Sequence, residues 1–179
     1  MIDEFGALLD QRIRSVPDWP VPGVIFRDIA PLLADPRGIP AVVAAIISEL
    51  AVRGISDIDL VAGVEARGFV LGAPLAVGLG VGFVPVRKQG KLPGDLHSQS
   101  YDLEYGTATL EVQVDAIGAG HRVLLIDDVL ATGGTAEAAV SLLRAAGGHV
   151  VALTVLLELP VLRGRDRFAD LEVISLRLI

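Results

Sequence analysis

An α/β domain built on a central, mostly parallel sheet flanked by helices is the fold this sequence predicts. Three observations predict it. Ile58 to Ala62 and Val123 to Ile126 are short apolar runs without polar alternation, glycine-bearing turns follow them, and a helical pattern follows each turn, Gly68 to Leu79 and Thr135 to Ala146. Strands buried on both faces lose the alternation of a half-exposed sheet, and strand, turn and helix in succession return a chain to the same sheet in parallel. A length of 179 residues with 52% hydrophobic content suits one domain, residues 1–179, and is short for two.

Met1 to Arg14 mixes charges among apolar residues at helical spacing, unlike the basic-then-apolar order of a secretory leader, so it is expected to be part of the fold. Pro17, Pro20 and Pro22 then hold the chain extended as far as Phe26. Ile39, Val42, Val43, Ile46, Ile47 and Leu50 recur at i, i+3 and i+4, which predicts an amphipathic helix closed by Gly54. Phe69 to Val86 carries no charge and has the apolarity of a membrane span, yet Pro74 and Gly72, Gly78, Gly80 and Gly82 interrupt it. A buried helix followed by a buried strand is expected there instead. The polar stretch Gln89 to Ser100, with its glycines and proline, predicts a mobile loop. Tyr101 to Tyr105 and Thr107 to Val114 then predict the arms of a hairpin turning near Gly106, and Gly147 and Gly148 stop the last helix of the pattern.

Composition excludes whole classes of chemistry. No cysteine occurs, so disulfides, thiolate nucleophiles and cysteine-held metals are ruled out, and a reducing, cytoplasmic home is expected. A net charge of −7 argues against attraction to nucleic acid or to an anionic membrane. An anionic small substrate needs local cations, and Arg87, Lys88 and Lys91 supply them within one short stretch.

The strongest motif runs Val123-Leu-Leu-Ile-Asp127-Asp128-Val-Leu-Ala131-Thr132-Gly133-Gly134-Thr135. A buried strand delivers two carboxylates and then a turn of small residues into a helix. Amide groups from Ala131 to Thr135 can converge on a phosphate, because glycine permits close approach and a helix start presents unpaired donors. Asp127 and Asp128 emerge where open α/β sheets bind ligands, and acceptor-only groups there suit ribose hydroxyls or the waters around Mg2+. Taken separately, the acids equally cap a helix and the glycines equally make a plain turn; together they fit a sugar phosphate. No Gly-x4-Gly-Lys-Ser/Thr occurs, and Gly78, Gly80 and Gly82 lead into a strand where a dinucleotide turn leads into a helix.

This run resembles the signature of the type I phosphoribosyltransferases, a resemblance that implies their fold, with a small hood and a flexible loop, and 5-phosphoribosyl 1-pyrophosphate as co-substrate. Further stretches resemble the adenine-using members of that family. Pro22 to Ile29 is similar to their hood, whose elements are implied near residues 20–30 and at the C-terminal end; Ile25, Phe26 and Arg27 are implied to bind the base and Phe26 to stack on it. Read locally, Phe26 is as well a core anchor. Gly63-Val-Glu65-Ala66-Arg67-Gly68-Phe69 resembles the loop that cradles pyrophosphate, with Ala66 and Arg67 in contact. The plain alternative for Arg67 is a surface ion pair with Glu65, although an arginine at a helix start opposes the dipole and hints at an anion.

Val86 to Gly94 and Tyr101 to Gly106 resemble the catalytic loop and the strand after it. Arg87, Lys88 and Lys91 match positions associated with pyrophosphate or with the loop, and Glu104 matches the residue placed near the base nitrogens, the implied acid/base. Otherwise the lysines are solvated loop charges and Glu104 is an edge carboxylate facing water. Leu159, in Leu157-Glu158-Leu159, matches the residue closing the other side of the base. The resemblance implies AMP formation in purine salvage, Mg2+ carried by substrate and water near Asp127 and Asp128, and a homodimer. Two alternatives fit many of the same residues: a transferase for hypoxanthine, guanine or xanthine, and a non-catalytic sensor of phosphoribosyl pyrophosphate.

Overall fold

Alternate residues of the run Val123 to Ile126 face opposite ways: Val123 and Leu125 join one buried cluster, Leu124 and Ile126 another. Such a strand needs cover on both sides, and the rest of the chain supplies it. The computed structural model describes residues 2–102 and 106–179.

In chain order, α1 (Ile2–Arg12) leads into β1 (Arg14–Pro17), which pairs antiparallel with β2 (Ile25–Asp28) to form a small separate sheet. The short α2 (Ala30–Ala34) and the longer α3 (Gly38–Val52) follow. β3 (Leu60–Val64), α4 (Arg67–Leu79) and β4 (Gly82–Lys88) make the first parallel crossover. β5 (Leu96–Asp102) and β6 (Thr107–Gln113) form a hairpin; β7 (Arg122–Leu130), α5 (Gly134–Ala145) and β8 (His149–Glu158) make the second crossover, and β9 (Glu172–Leu178) ends the chain. The main sheet has seven strands in the order β5-β6-β4-β3-β7-β8-β9. Five of them, β4 to β9 in that order, are parallel, and the hairpin extends the β4 edge antiparallel.

The helices sort by face. Ala139, Leu142 and Leu143 of α5 join the cluster of Val123 and Leu125, while Val42, Ile46 and Leu50 of α3 and Leu71 and Leu75 of α4 join that of Leu124 and Ile126. Burying a side chain such as Leu124 contributes about 1.5–3 kcal/mol, so the sheet between these layers is the rigid part of the molecule. The expected helices are found at Gly38–Val52, Arg67–Leu79 and Gly134–Ala145, and Phe69 to Val86 is a helix and a strand. No described helix is long and apolar enough to cross a membrane.

One expectation is corrected. Gln89 to Ser100 is not loop throughout, because Leu96 to Ser100 pairs with Thr109 to Gln113, leaving Gln89 to Asp95 irregular. An outermost strand with one face in water needs few apolar residues, so His97, Ser98 and Gln99 imitate loop composition. The predicted arm Tyr101 to Tyr105 therefore starts too late, and Leu103, Glu104 and Tyr105 lie outside the described residues.

Candidate active site

All the parallel strands end on one edge, and that edge carries nearly every residue singled out by the sequence. β7 delivers Asp127 and Asp128 there and then turns through Ala131 and Thr132 to Gly133, whose φ of 83° is left-handed and natural to glycine. The first backbone bond of α5 is from Glu137 N–H to the Gly133 carbonyl, 2.8 Å. Amides from Thr132 to Thr135 therefore precede any helical acceptor and remain available to an anion. The Thr135 hydroxyl lies 3.4 Å from the Tyr101 hydroxyl, so the hairpin stands beside the turn.

Arg67, the first residue of α4, reaches this strand end. A side chain on Gly68 would meet the Ile126 carbonyl at 2.8 Å, and its absence lets the first turn of α4 lie against β7. Arg67 Nε sits 2.8 Å from Asp128 Oδ2, so its partner is Asp128 and the alternative pair with Glu65 is not formed. That contact is an ion pair without hydrogen-bond alignment, and Asp128 Oδ2 is buried with no hydrogen bond of its own. Burial pushes the Asp127 carboxyl well up, and the charge of Asp128 pushes it further; burial also raises Asp128, against the pull of Arg67. An acidic pair held this way, short of protein partners, is suited to accept hydroxyls or hydrated cations from a ligand.

Glu65 has a different role from the one its sequence position suggests. Its carboxylate accepts Lys91 Nζ at 2.6 Å and the Lys88 amide at 3.0 Å, with Arg87 Nε 3.5 Å away. Lys91 above all holds the Glu65 carboxyl below its ordinary range. Arg87 also donates to the Lys91 carbonyl at 3.0 Å. Glu65 thus gathers the cations of the β4 end beside Ala66 and Arg67, and the peptide joining Glu65 to Ala66 is cis. Gly90 N–H donates to the buried Glu111 carboxylate at 2.9 Å, which ties the loop to β6.

The small sheet forms the roof. The Phe26 ring packs edge-on against Trp19 with centroids 4.4 Å apart, and the Arg67 guanidinium carbon lies 5.1 Å from the Phe26 centroid. Phe26 is therefore at the site and outside both core clusters. Ile25 beside it is 53% exposed. The Arg27 side chain turns the other way and donates to the Ser15 hydroxyl, lining a cavity of about 250 Å3 with Arg177 and the chain end. Leu159 follows β8 directly and donates its amide to the Leu130 carbonyl at 2.9 Å, which fixes it at the same edge as the turn.

Sequence reasoning missed the segment from Pro160 to Arg167, two short 3-10 turns between β8 and β9. A side chain on Gly164 would lie 2.2 Å from the Ala131 carbonyl, so its bare backbone rests on the turn. Arg167 Nε donates to the Thr132 carbonyl at 2.8 Å. The partners are 35 residues apart, and no local spacing announces them.

Comparison with known proteins agrees with this geometry. The phosphoribosyl transferase domain family matches residues 38–177. An adenine phosphoribosyltransferase of Thermobifida fusca is 54% identical over 179 residues, covering all of both chains, and one of Frankia casuarinae is 57% identical over 177 residues, covering 99% of this chain and 93% of its own. Crystal structures of the enzymes from Thermoanaerobacter pseudethanolicus and Saccharomyces cerevisiae superpose with TM-scores of 0.92 and 0.93 at 43% and 36% identity. The first covers 100% of both chains, the second 98% of this chain and 99% of its own, and the yeast enzyme was crystallised with adenine and an imino-altritol bisphosphate. With a family match over most of its length and relatives this similar end to end, the chain belongs to the phosphoribosyltransferases, in their adenine phosphoribosyltransferase branch.

Proposed function

We propose that the protein transfers a phosphoribosyl group from 5-phosphoribosyl 1-pyrophosphate to adenine, giving AMP and pyrophosphate, a purine salvage reaction. The observation that carries this reading is the β7 end, where two partner-poor carboxylates precede a turn of open amides and Arg67 stands alongside. The turn from Ala131 to Thr135 would take the 5′-phosphate, and Asp127 and Asp128 the ribose hydroxyls. As an adenine nitrogen attacks the anomeric carbon, the bond from that carbon to pyrophosphate breaks through a cationic sugar, which the acidic pair favours electrostatically.

The leaving pyrophosphate needs positive charge. Ala66 would offer backbone and Arg67 its guanidinium; Arg87 and Lys91, released from Glu65, would join them with Lys88. Mg2+ fits the donor set: the unbonded Asp128 Oδ2 is a ready acceptor for the waters of an ion held mainly by substrate phosphates. When bound, it would neutralise charge on the departing group. Phe26 would stack on adenine between the backbone of Ile25 and Arg27 and the side chain of Leu159, and Glu104 would manage the proton on the base. Closure of the loop from Gln89 to Asp95 would exclude water from the sugar cation.

A cytoplasmic homodimer goes with this reading; the exposed hood residues Trp19, Val21, Val24 and Ile25 are surface that a second subunit would cover. The deciding experiment supplies purified protein with Mg2+, phosphoribosyl pyrophosphate and adenine, hypoxanthine, guanine or xanthine in competition. AMP as the main nucleotide is the expected result, whereas another nucleotide, or none above background, rejects the assignment. Glu104→Gln should slow turnover by about 10²- to 10⁴-fold, the usual worth of a placed acid/base.

A further inference from the structure

A turn can bind phosphate only if its carbonyls face away from the anion. In a trans peptide the C=O and the next N–H point in opposite directions, so whatever captures a carbonyl also aims the following amide. The segment from Pro160 to Arg167 does this for one peptide of the turn and packs closely against the peptide before it. Gly164 presses its backbone against the Ala131 carbonyl, and Arg167 Nε captures the Thr132 carbonyl at 2.8 Å. The amide of Gly133 is thereby turned toward the opposite side. Arg167 is itself held, since its Nη1 donates to Glu137 Oε2 at 2.6 Å from the first turn of α5.

From this geometry we infer that Arg167 is a positioning residue for the 5′-phosphate, orienting the Thr132–Gly133 peptide through its carbonyl while Glu137 fixes the guanidinium. The inference rests on the phosphoribosyl reading of the same turn. It concerns a residue outside that pocket's own motif, and it separates phosphate binding from base binding. The guanidinium fork is needed because one planar group must serve Thr132 and Glu137 at once, which a lysine ammonium on its flexible stem does poorly. Arg167 and Glu137 are 46% and 47% exposed, so their pair contributes little to folding and its removal leaves the domain intact.

The test measures AMP affinity by calorimetry, and the KM for each substrate, in wild type, Arg167→Met, Arg167→Lys and Glu137→Gln. Arg167→Met should raise the AMP Kd and the KM for phosphoribosyl pyrophosphate about tenfold, the scale of one lost charge-assisted hydrogen bond, with the KM for adenine unchanged. Arg167→Lys should retain most of that loss, and Glu137→Gln should show a smaller loss of the same kind. An AMP Kd within about twofold of wild type in Arg167→Met, full recovery by lysine, or an equal loss for adenine overturns the inference. If Arg167→Met does not fold, Glu137→Gln decides, and unaltered AMP affinity there overturns it. A wild-type protein that makes no AMP would instead overturn the parent reading.

Discussion

The two halves of the sheet are built on opposite terms. Across the sheet from β4 through β3, β7 and β8 to β9 the strands are parallel, and the central β7 is covered on both faces, so Val123, Leu124, Leu125 and Ile126 are wholly buried. The β5 and β6 hairpin is antiparallel and half wet, and the β4 end beside it holds its charges by mutual pairing around Glu65. Both halves meet at one edge, but with different rigidity. The parallel half fixes the acidic pair and the turn in place, whereas Arg87 and Lys91 are held by ion pairs with Glu65 near the surface. On the proposed reading, the positions for the ribose are thus set by core packing, and those for the leaving group by surface electrostatics.

Substitutions sharpen that contrast. Asp128→Asn should have the largest effect, lowering kcat/KM by about 10²- to 10³-fold in steady-state assays, because in the proposed reaction it removes a fixed charge that would face the developing sugar cation. Gly164→Ala comes next: the new methyl has no room beside the Ala131 carbonyl, and overpacking of this kind costs about 1–3 kcal/mol, read as a lower denaturant midpoint together with a weaker KM for phosphoribosyl pyrophosphate.

Asp127 links the rigid half to pH. Its carboxyl is raised by burial and by Asp128, so it favours the folded state while protonated. That contribution is complete below the ordinary carboxylate pKa and is lost as pH rises through the raised value. Asp127→Asn, neutral throughout, should therefore unfold at a higher temperature than wild type at about pH 8, the gap closing near pH 4, while losing activity. A wild-type protein more stable than the variant at high pH would break the comparison.

In the charge-paired half, Lys91→Met should weaken the KM for phosphoribosyl pyrophosphate several-fold with only a small fall in thermal midpoint, since Lys91 is half exposed and Glu65 keeps the Lys88 amide and Arg87 as partners. The smallest effect is expected far from the edge: Arg144→Gln loses only an exposed pair with Asp170, worth about 0–1 kcal/mol, and should leave turnover as it was.

The layers and the glycine turn after β7 are legible in the amino-acid order alone. Apolar runs, helical periodicity and a Gly-Gly turn are set within a few residues of one another, and burial then follows from composition. His97 to Ser100 misled because an edge strand and a loop share polar composition, and only pairing with β6 separates them. Tertiary structure alone decided that Arg67 meets Asp128 in place of Glu65, that Glu65 collects Lys91 and Arg87, that the Arg27 side chain turns to Ser15, and that Arg167 holds Thr132. Each of these contacts joins chain segments that no periodicity relates. A charged side chain's partner is chosen by where the sheet delivers opposite charge and by which carbonyls are left without a bond, and those are properties of the assembled fold.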